Sequence, residues 1–170
     1  MHKHPLLRLT WCAIGMALGI ALALSLVAPP NAPFLLASLG GSAVFLFGLT
    51  RAPAAQPRAL FGGHLGTALI GIACFQLFGD ALWVYGLSEV LALWYMLLAR
   101  AVHPPAGANP LIMIHYHADF GNLFGTVAVG TLSLVCLAVV WSRLYPGLAR
   151  YPVKWMDPSP ASPLWGGWNE

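Results

Sequence analysis

The chain has 170 residues, 59% of them hydrophobic and only 8% charged, at a mean hydropathy of +0.75. A soluble domain carries roughly 25% charged residues, and one of this size still exposes about a third of its unfolded-chain surface. A soluble globular enzyme is therefore excluded, and so is a disordered chain, which needs low hydrophobicity and high net charge. An all-α integral membrane protein of one compact domain remains. The formal charge of +3 does not point to nucleic acid. Lys3, Arg8, Arg51, Arg58, Arg100, Arg143, Arg150 and Lys154 form no patch and stand at the ends of apolar runs, as topology signals do. Cys12, Cys74 and Cys136 are odd in number, match no metal spacing and read as small packing residues.

In chain order, Leu9 to Ala28 is uncharged and long enough to cross a hydrocarbon core of about 30 Å. It reads as an uncleaved helix rather than a secretory signal, because Pro29-Pro30 is a poor cleavage site. The second stretch, 33–50, is interrupted by Ser38, Gly40, Gly41 and Ser42. The third, Ala59 to Phe78, carries Gly62, Gly63, Gly66 and Gly71, and the fourth, Ala81 to Ala99, contains one acid, Glu89. A fifth, 103–117, opens with His103-Pro104-Pro105-Ala106-Gly107-Ala108-Asn109-Pro110, and the last runs from Phe120 to Ser142. The sum is a helical bundle of about five or six membrane segments, two of them Gly/Pro-broken. Residues 1–142 form the transmembrane domain, and 143–170 form a cytoplasmic tail rich in proline and tryptophan (Trp155, Trp165, Trp168) that reads as an interfacial strap.

If every segment crosses, all eight basic residues fall on one side, and Asn31, Asp80 and Asp119 fall on the other. The positive-inside rule then makes the protein a multi-pass protein of the cell (inner) membrane with both termini cytoplasmic. Leu60-Phe61-Gly62 recurs as Leu123-Phe124-Gly125, and Gly66-Thr67 recurs as Gly130-Thr131, 64 residues later. These matches suggest a 3+3 inverted repeat, with chance as the competing explanation for such short motifs. Six short segments make a thin bundle, for which a homo-oligomer is expected.

Chemistry concentrates in the broken stretches. Pro104 and Pro105 disfavour a helix interior, Gly107 permits a close backbone approach, and Asn109-Pro110 reads as an N-cap followed by a first-turn proline. The expectation is an extended chain over 103–109 and a short helix from 110 to about 117. Gly40-Gly41 is expected to break the second segment, with Ser42 capping a helix from Ala43. Two half-helix N-termini near the midplane would hold a small anion, with Ser38, Ser42 and Asn109 as donors. The competing reading is a kinked pair of helices packed by their glycines. Glu89, at membrane depth, reads either as a proton carrier or as a residue bonded to a neighbour such as His64. His64 is either a packing histidine beside Gly62 and Gly66 or a proton ligand, and His103 either a site residue or a cap for the fourth segment. His115, His117 and Asp119 offer ligand atoms at alternate positions, which read as a metal site or, more simply, as an interfacial cluster. No catalytic motif and no cofactor signature is present, so no enzyme is expected.

Ala101-Val-His-Pro-Pro-Ala-Gly-Ala-Asn-Pro110, with Leu35-Leu-Ala-Ser-Leu-Gly-Gly-Ser42 upstream, resembles the HPP family of integral membrane proteins over residues 30–142. The resemblance implies a transporter, and because plastid and cyanobacterial members are associated with nitrite transport, it implies nitrite as substrate. It also favours the anion-site reading, with His103, Pro104, Pro105, Gly107 and Asn109 meeting Ser38, Gly40, Gly41 and Ser42; the candidates for proton coupling, Glu89 and His64, come from their position at membrane depth. The alternative is a non-transporting subunit that packs against a larger partner through its glycine faces.

Overall fold

The computed structural model describes residues 5–27 and 33–160. Lys3, Asn31, Trp165 and Trp168, used above for topology and for the tail, lie outside the described residues. Among the described residues every regular element is helical: α1 (Pro5–Val27), α2 (Phe34–Gly48), α3 (Pro57–Phe78), α4 (Leu82–Leu98), α5 (Asn109–His115) and α6 (Phe120–Leu144). Three of them, α1, α3 and α6, are long and apolar enough to cross a bilayer, and α2 and α4 are shorter apolar helices. With almost no charged side chains between the helix ends, such segments can satisfy their backbone only by intrahelical bonds.

Small residues set the helix pairs. In α1 only Gly15, Gly19 and Ala23 are buried. A Cβ on Gly15 would meet Trp141, and one on Gly19 would come within 2.9 Å of Leu134, so α1 lies tightly along α6. Trp11 stacks on Trp141 at 4.2 Å. Gly66 makes room for the Tyr95 ring, whose hydroxyl donates to Gly62 O at 3.0 Å, and this joins α3 to α4. Gly71 lies so close to α5 that a Cβ there would stand 2.6 Å from Pro110 Cα. Glycines thus let three helix pairs approach closely.

The helix ends and the loops that are described divide into two sets. Gln56 donates through Nε2 to Thr50 O and Ala52 O, and its Oε1 accepts from Val153 and Lys154 N–H. Arg100 Nε donates to Ser159 O at 2.8 Å, and Val102 N–H donates to Ser159 Oγ at 3.0 Å. The loops 49–56 and 99–103 and the strap 145–160 therefore meet at one end. Arg8, Arg51, Arg58, Arg100, Arg143, Arg150 and Lys154 belong to elements that start or finish there. At the opposite end α3 stops at Gly79, whose φ of +76° favours glycine. There α6 starts with a capping box, in which Asp119 and Asn122 each accept the other's backbone N–H at 3.0 Å.

Two local expectations are corrected. Gly40-Gly41 does not break α2, and Ser42 caps nothing: helix runs from Ala37 through Ala43 and widens into a π turn only at Val44–Gly48. Gly41 is needed there for contact, since a Cβ would lie 2.9 Å from the Pro105 Cβ. Nor is the chain extended over 103–109. His103 is extended, but Pro104–Ala108 form a 3-10 turn that leads directly into α5. Proline fixes φ near −65°, a helical value, and in a first turn its missing N–H is not needed. Asn109 consequently follows a helical Ala108 and is not a cap, which frees its side chain to reach α3.

Candidate functional site

The two interrupted segments and α3 bring five polar side chains into one buried cluster. Ser42 on α2, His64 and Thr67 on α3, and His103 are fully buried, and Asn109 on α5 is 1% exposed. Ser42 Oγ lies 2.7 Å from His64 Nε2 and 2.8 Å from His103 Nε2. His103 Nδ1 lies 2.6 Å from Ala54 O, and Asn109 Nδ2 lies 3.0 Å from both His64 Nδ1 and His64 O. Asn109 Nδ2 also approaches Thr67 Oγ1 at 3.2 Å, while that hydroxyl faces Ala106 O at 2.7 Å and Gly63 O at 2.8 Å.

Simple bookkeeping of protons orients the whole chain. A carbonyl only accepts, so His103 Nδ1 must donate to Ala54, leaving Nε2 of the neutral ring as an acceptor. Ser42 then donates its one proton to His103 and accepts from His64 Nε2–H. His64 Nδ1 is left to accept from the Asn109 amide. Every hydrogen bond from Asn109 to Ala54 therefore points the same way. One of the few buried polar atoms without a partner among the described residues is Asn109 Oδ1. The cluster starts at Thr67, near the middle of α3, and ends at the 53–55 turn, where the strap is anchored through Gln56. It thus occupies the half of the bundle nearer the basic end rather than a midplane layer.

The other predicted residues are placed as follows. Gly41 touches Pro105 at the seam between α2 and the 3-10 turn, and Ser38 is buried one turn from Ser42, whose hydroxyl approaches Ser38 O at 3.2 Å. Pro104 is exposed. A Cβ on Gly40 or Gly107 would meet nothing within 4 Å, so the close backbone approach expected at Gly107 is instead made by Gly41, Gly63 and Gly71. Glu89 is half-buried, its Oε1 has no partner, and it does not pair with His64. The α4 side chain bonded beside the cluster is Tyr95. Thr67 and the Ala54 carbonyl were missed as site members. Thr67 stands three residues after His64 and hence on its face, whereas a loop carbonyl leaves no sequence signal.

The second histidine group comes apart. His117 Nε2–H donates to Asp80 Oδ2 at 3.0 Å and its ring stacks on Phe75 at 4.6 Å, while Asp119 caps α6 and His115 edges Tyr116. Tyr85 also donates to Asp80, at 2.7 Å. These two bonds, His117 first, hold the exposed Asp80 carboxyl below its ordinary value.

Apolar helices packed through glycines around a buried polar cluster define a polytopic helical membrane protein. Its family follows from comparison. The model of the HPP transmembrane region matches residues 1–152, and the chain belongs to that family. Two transmembrane proteins of Dictyostelium discoideum are similar: one is 32% identical over 72% of this chain and 42% of its own length, the other 29% identical over 71% and 45%. The chain thus spans less than half the length of these relatives. No solved structure matches it.

Proposed function

We propose that the chain is a membrane transporter for a small inorganic anion, with nitrite the first candidate on the family resemblance. The observation that carries this reading is the Asn109–His64–Ser42–His103 chain. Two imidazoles and a hydroxyl sealed inside a bundle of apolar helices are expensive, and ionisable groups at such depth by default mark a pathway. The cluster also joins α2 to the 103–117 stretch, where the HPP motif meets Gly41 and Ser42. The anion is held at that seam. Against the competing reading as a non-transporting subunit, Gly15, Gly19, Gly62, Gly63, Gly66 and Gly71 pack against this chain's own atoms.

The same reading takes α1, α2, α3, α4, the 103–117 stretch and α6 as six crossings in two inverted halves. It is supported by pair exchange: α1 lies along α6 as α4 lies along α3. The basic end is cytoplasmic in a cell inner membrane, and the exposed apolar faces of α1 and α4 meet lipid or a second copy. The test is uptake of nitrite, nitrate, formate and chloride by the purified protein in liposomes. Nitrite should enter at least tenfold faster than into protein-free vesicles; equal rates for all four anions with and without protein would overturn the proposal.

A further inference from the structure

The buried cluster has room in its bonding for one more proton. A hydroxyl oxygen carries two lone pairs and one proton, and a carbonyl carries two lone pairs. Ser42 Oγ lies between the two Nε2 atoms at 2.7 and 2.8 Å, and it also stands 3.2 Å from the Ser38 carbonyl one turn below. If the Ser42 proton turns from His103 to Ser38 O, His103 Nε2 is free to take a proton and to donate it back to Ser42 Oγ. His103 Nδ1–H keeps Ala54, His64 Nε2–H keeps Ser42, and no partner is lost. The other ring has its own reserve. A proton on His64 Nδ1 would oppose the Asn109 amide N–H, but the same amide carries the unpartnered, buried Oδ1, which can turn to accept it in exchange for the Nδ2 contacts with His64 O and Thr67 Oγ1. Two protons together would place like charges on rings whose centroids are 5.0 Å apart, so the capacity is one.

We propose that Ser42, His64 and His103 form a single-proton carrier in which rotation of the Ser42 hydroxyl between His103 Nε2 and the Ser38 carbonyl admits and releases the proton. The proton adds to a ring nitrogen lone pair and leaves from it; no other bond forms or breaks. The surroundings leave the added charge without a fixed partner. α2 and the 3-10 turn contribute no titratable side chain. α3 adds Arg58, bonded to Ala99 O, and α4 adds Tyr95, bonded to Gly62 O, together with Glu89, which bonds neither ring. From α5 comes only exposed His115, and Arg51 precedes the 53–55 turn. Among the described residues no carboxylate bonds either histidine. On the transport reading, on which this step rests for its use, the counter-charge is the anion itself, and proton and anion are carried together.

The experiment is a pH titration of 15N-histidine-labelled protein in lipid nanodiscs, with His64→Gln and His103→Gln used to assign the ring signals. In the wild type the two rings should move at one shared midpoint and take up a single proton between them. Ser42→Ala should split this into two separate midpoints, and Ser42→Thr, which keeps the hydroxyl, should restore the shared one. Independent titration of the two rings in the wild type, or an unchanged shared midpoint in Ser42→Ala, would overturn the carrier. In liposomes, the protons moved per anion should fall at least fivefold in Ser42→Ala, whatever the anion rate; an unchanged ratio also overturns it. Wild-type protein that shares one proton but moves no anion would refute the transport reading and leave the carrier standing.

Discussion

Two groups of histidines lie toward opposite ends of this bundle and are held by opposite means. His64 and His103 are sealed from solvent, and each ring nitrogen meets one neutral partner in a chain whose proton order is fixed by the Ala54 carbonyl. His117 stands at the surface, pairs with a carboxylate and stacks on an aromatic ring. The lesson is that histidine content alone does not locate a membrane site; dryness and hydrogen-bond direction do. In the buried group every bond depends on the next, whereas in the exposed group water can replace any member.

The contrast can be broken first at the buried end. His64→Ala removes two hydrogen bonds and leaves Ser42 and Asn109 facing an apolar void, a loss of about 3 kcal/mol from unsatisfied polar groups and cavity formation together. Unfolding in mixed micelles should show it, whereas His117→Ala should barely change stability, as for a solvent-exposed pair. Packing gives the second contrast. Gly71→Ala forces a Cβ against the Pro110 backbone and should destabilise by about 2 kcal/mol. Gly107→Ala meets open space and should leave the same melting curve within error.

The strap supplies the third. Gln56 is 4% exposed and ties two backbone N–H groups of the strap to two loop carbonyls. Gln56→Ala should loosen residues 145–160, at about 1 to 2 kcal/mol, and limited proteolysis should cut the strap at least threefold faster. The smallest effect belongs to Asp80. Its carboxyl is held below the ordinary value by His117 and Tyr85, so the stability it contributes is present above the unfolded carboxyl value of about 4. That contribution is lost as pH falls through the lower folded value. In Asp80→Asn that acid-side dependence should disappear from the melting temperature, and a wild-type profile in the variant would show that the pair contributes nothing.

Much of the fold was legible because apolar length and charge placement are one-dimensional signals. Leu9–Ala28, Ala59–Phe78 and Phe120–Ser142 anticipate α1, α3 and α6 closely. The interruption at Pro104-Pro105 was located correctly but not its shape, and the one expected at Gly40-Gly41 falls instead at Val44–Gly48. Pro104-Pro105 suits a 3-10 turn as well as an extended chain, and a Gly-Gly pair continues a helix when a neighbour such as Pro105 needs the space. The site was half legible. Ser38, Ser42 and Asn109 read as donors to an anion, and within the bundle Ser42 bonds both histidines and Asn109 bonds His64. A Glu89–His64 pair is one of the readings the sequence leaves open, because spacing along one helix cannot show which neighbouring helix supplies the partner.

The most direct measurement of the central claim is nitrite-driven acidification inside sealed liposomes that contain only this protein, followed with a trapped pH dye near neutral pH. The account predicts that an inward nitrite gradient acidifies the lumen well above the protein-free rate and that His64→Ala/His103→Ala returns it to that rate. Acidification at the protein-free rate by the wild type, or at the wild-type rate by the double variant, would contradict it.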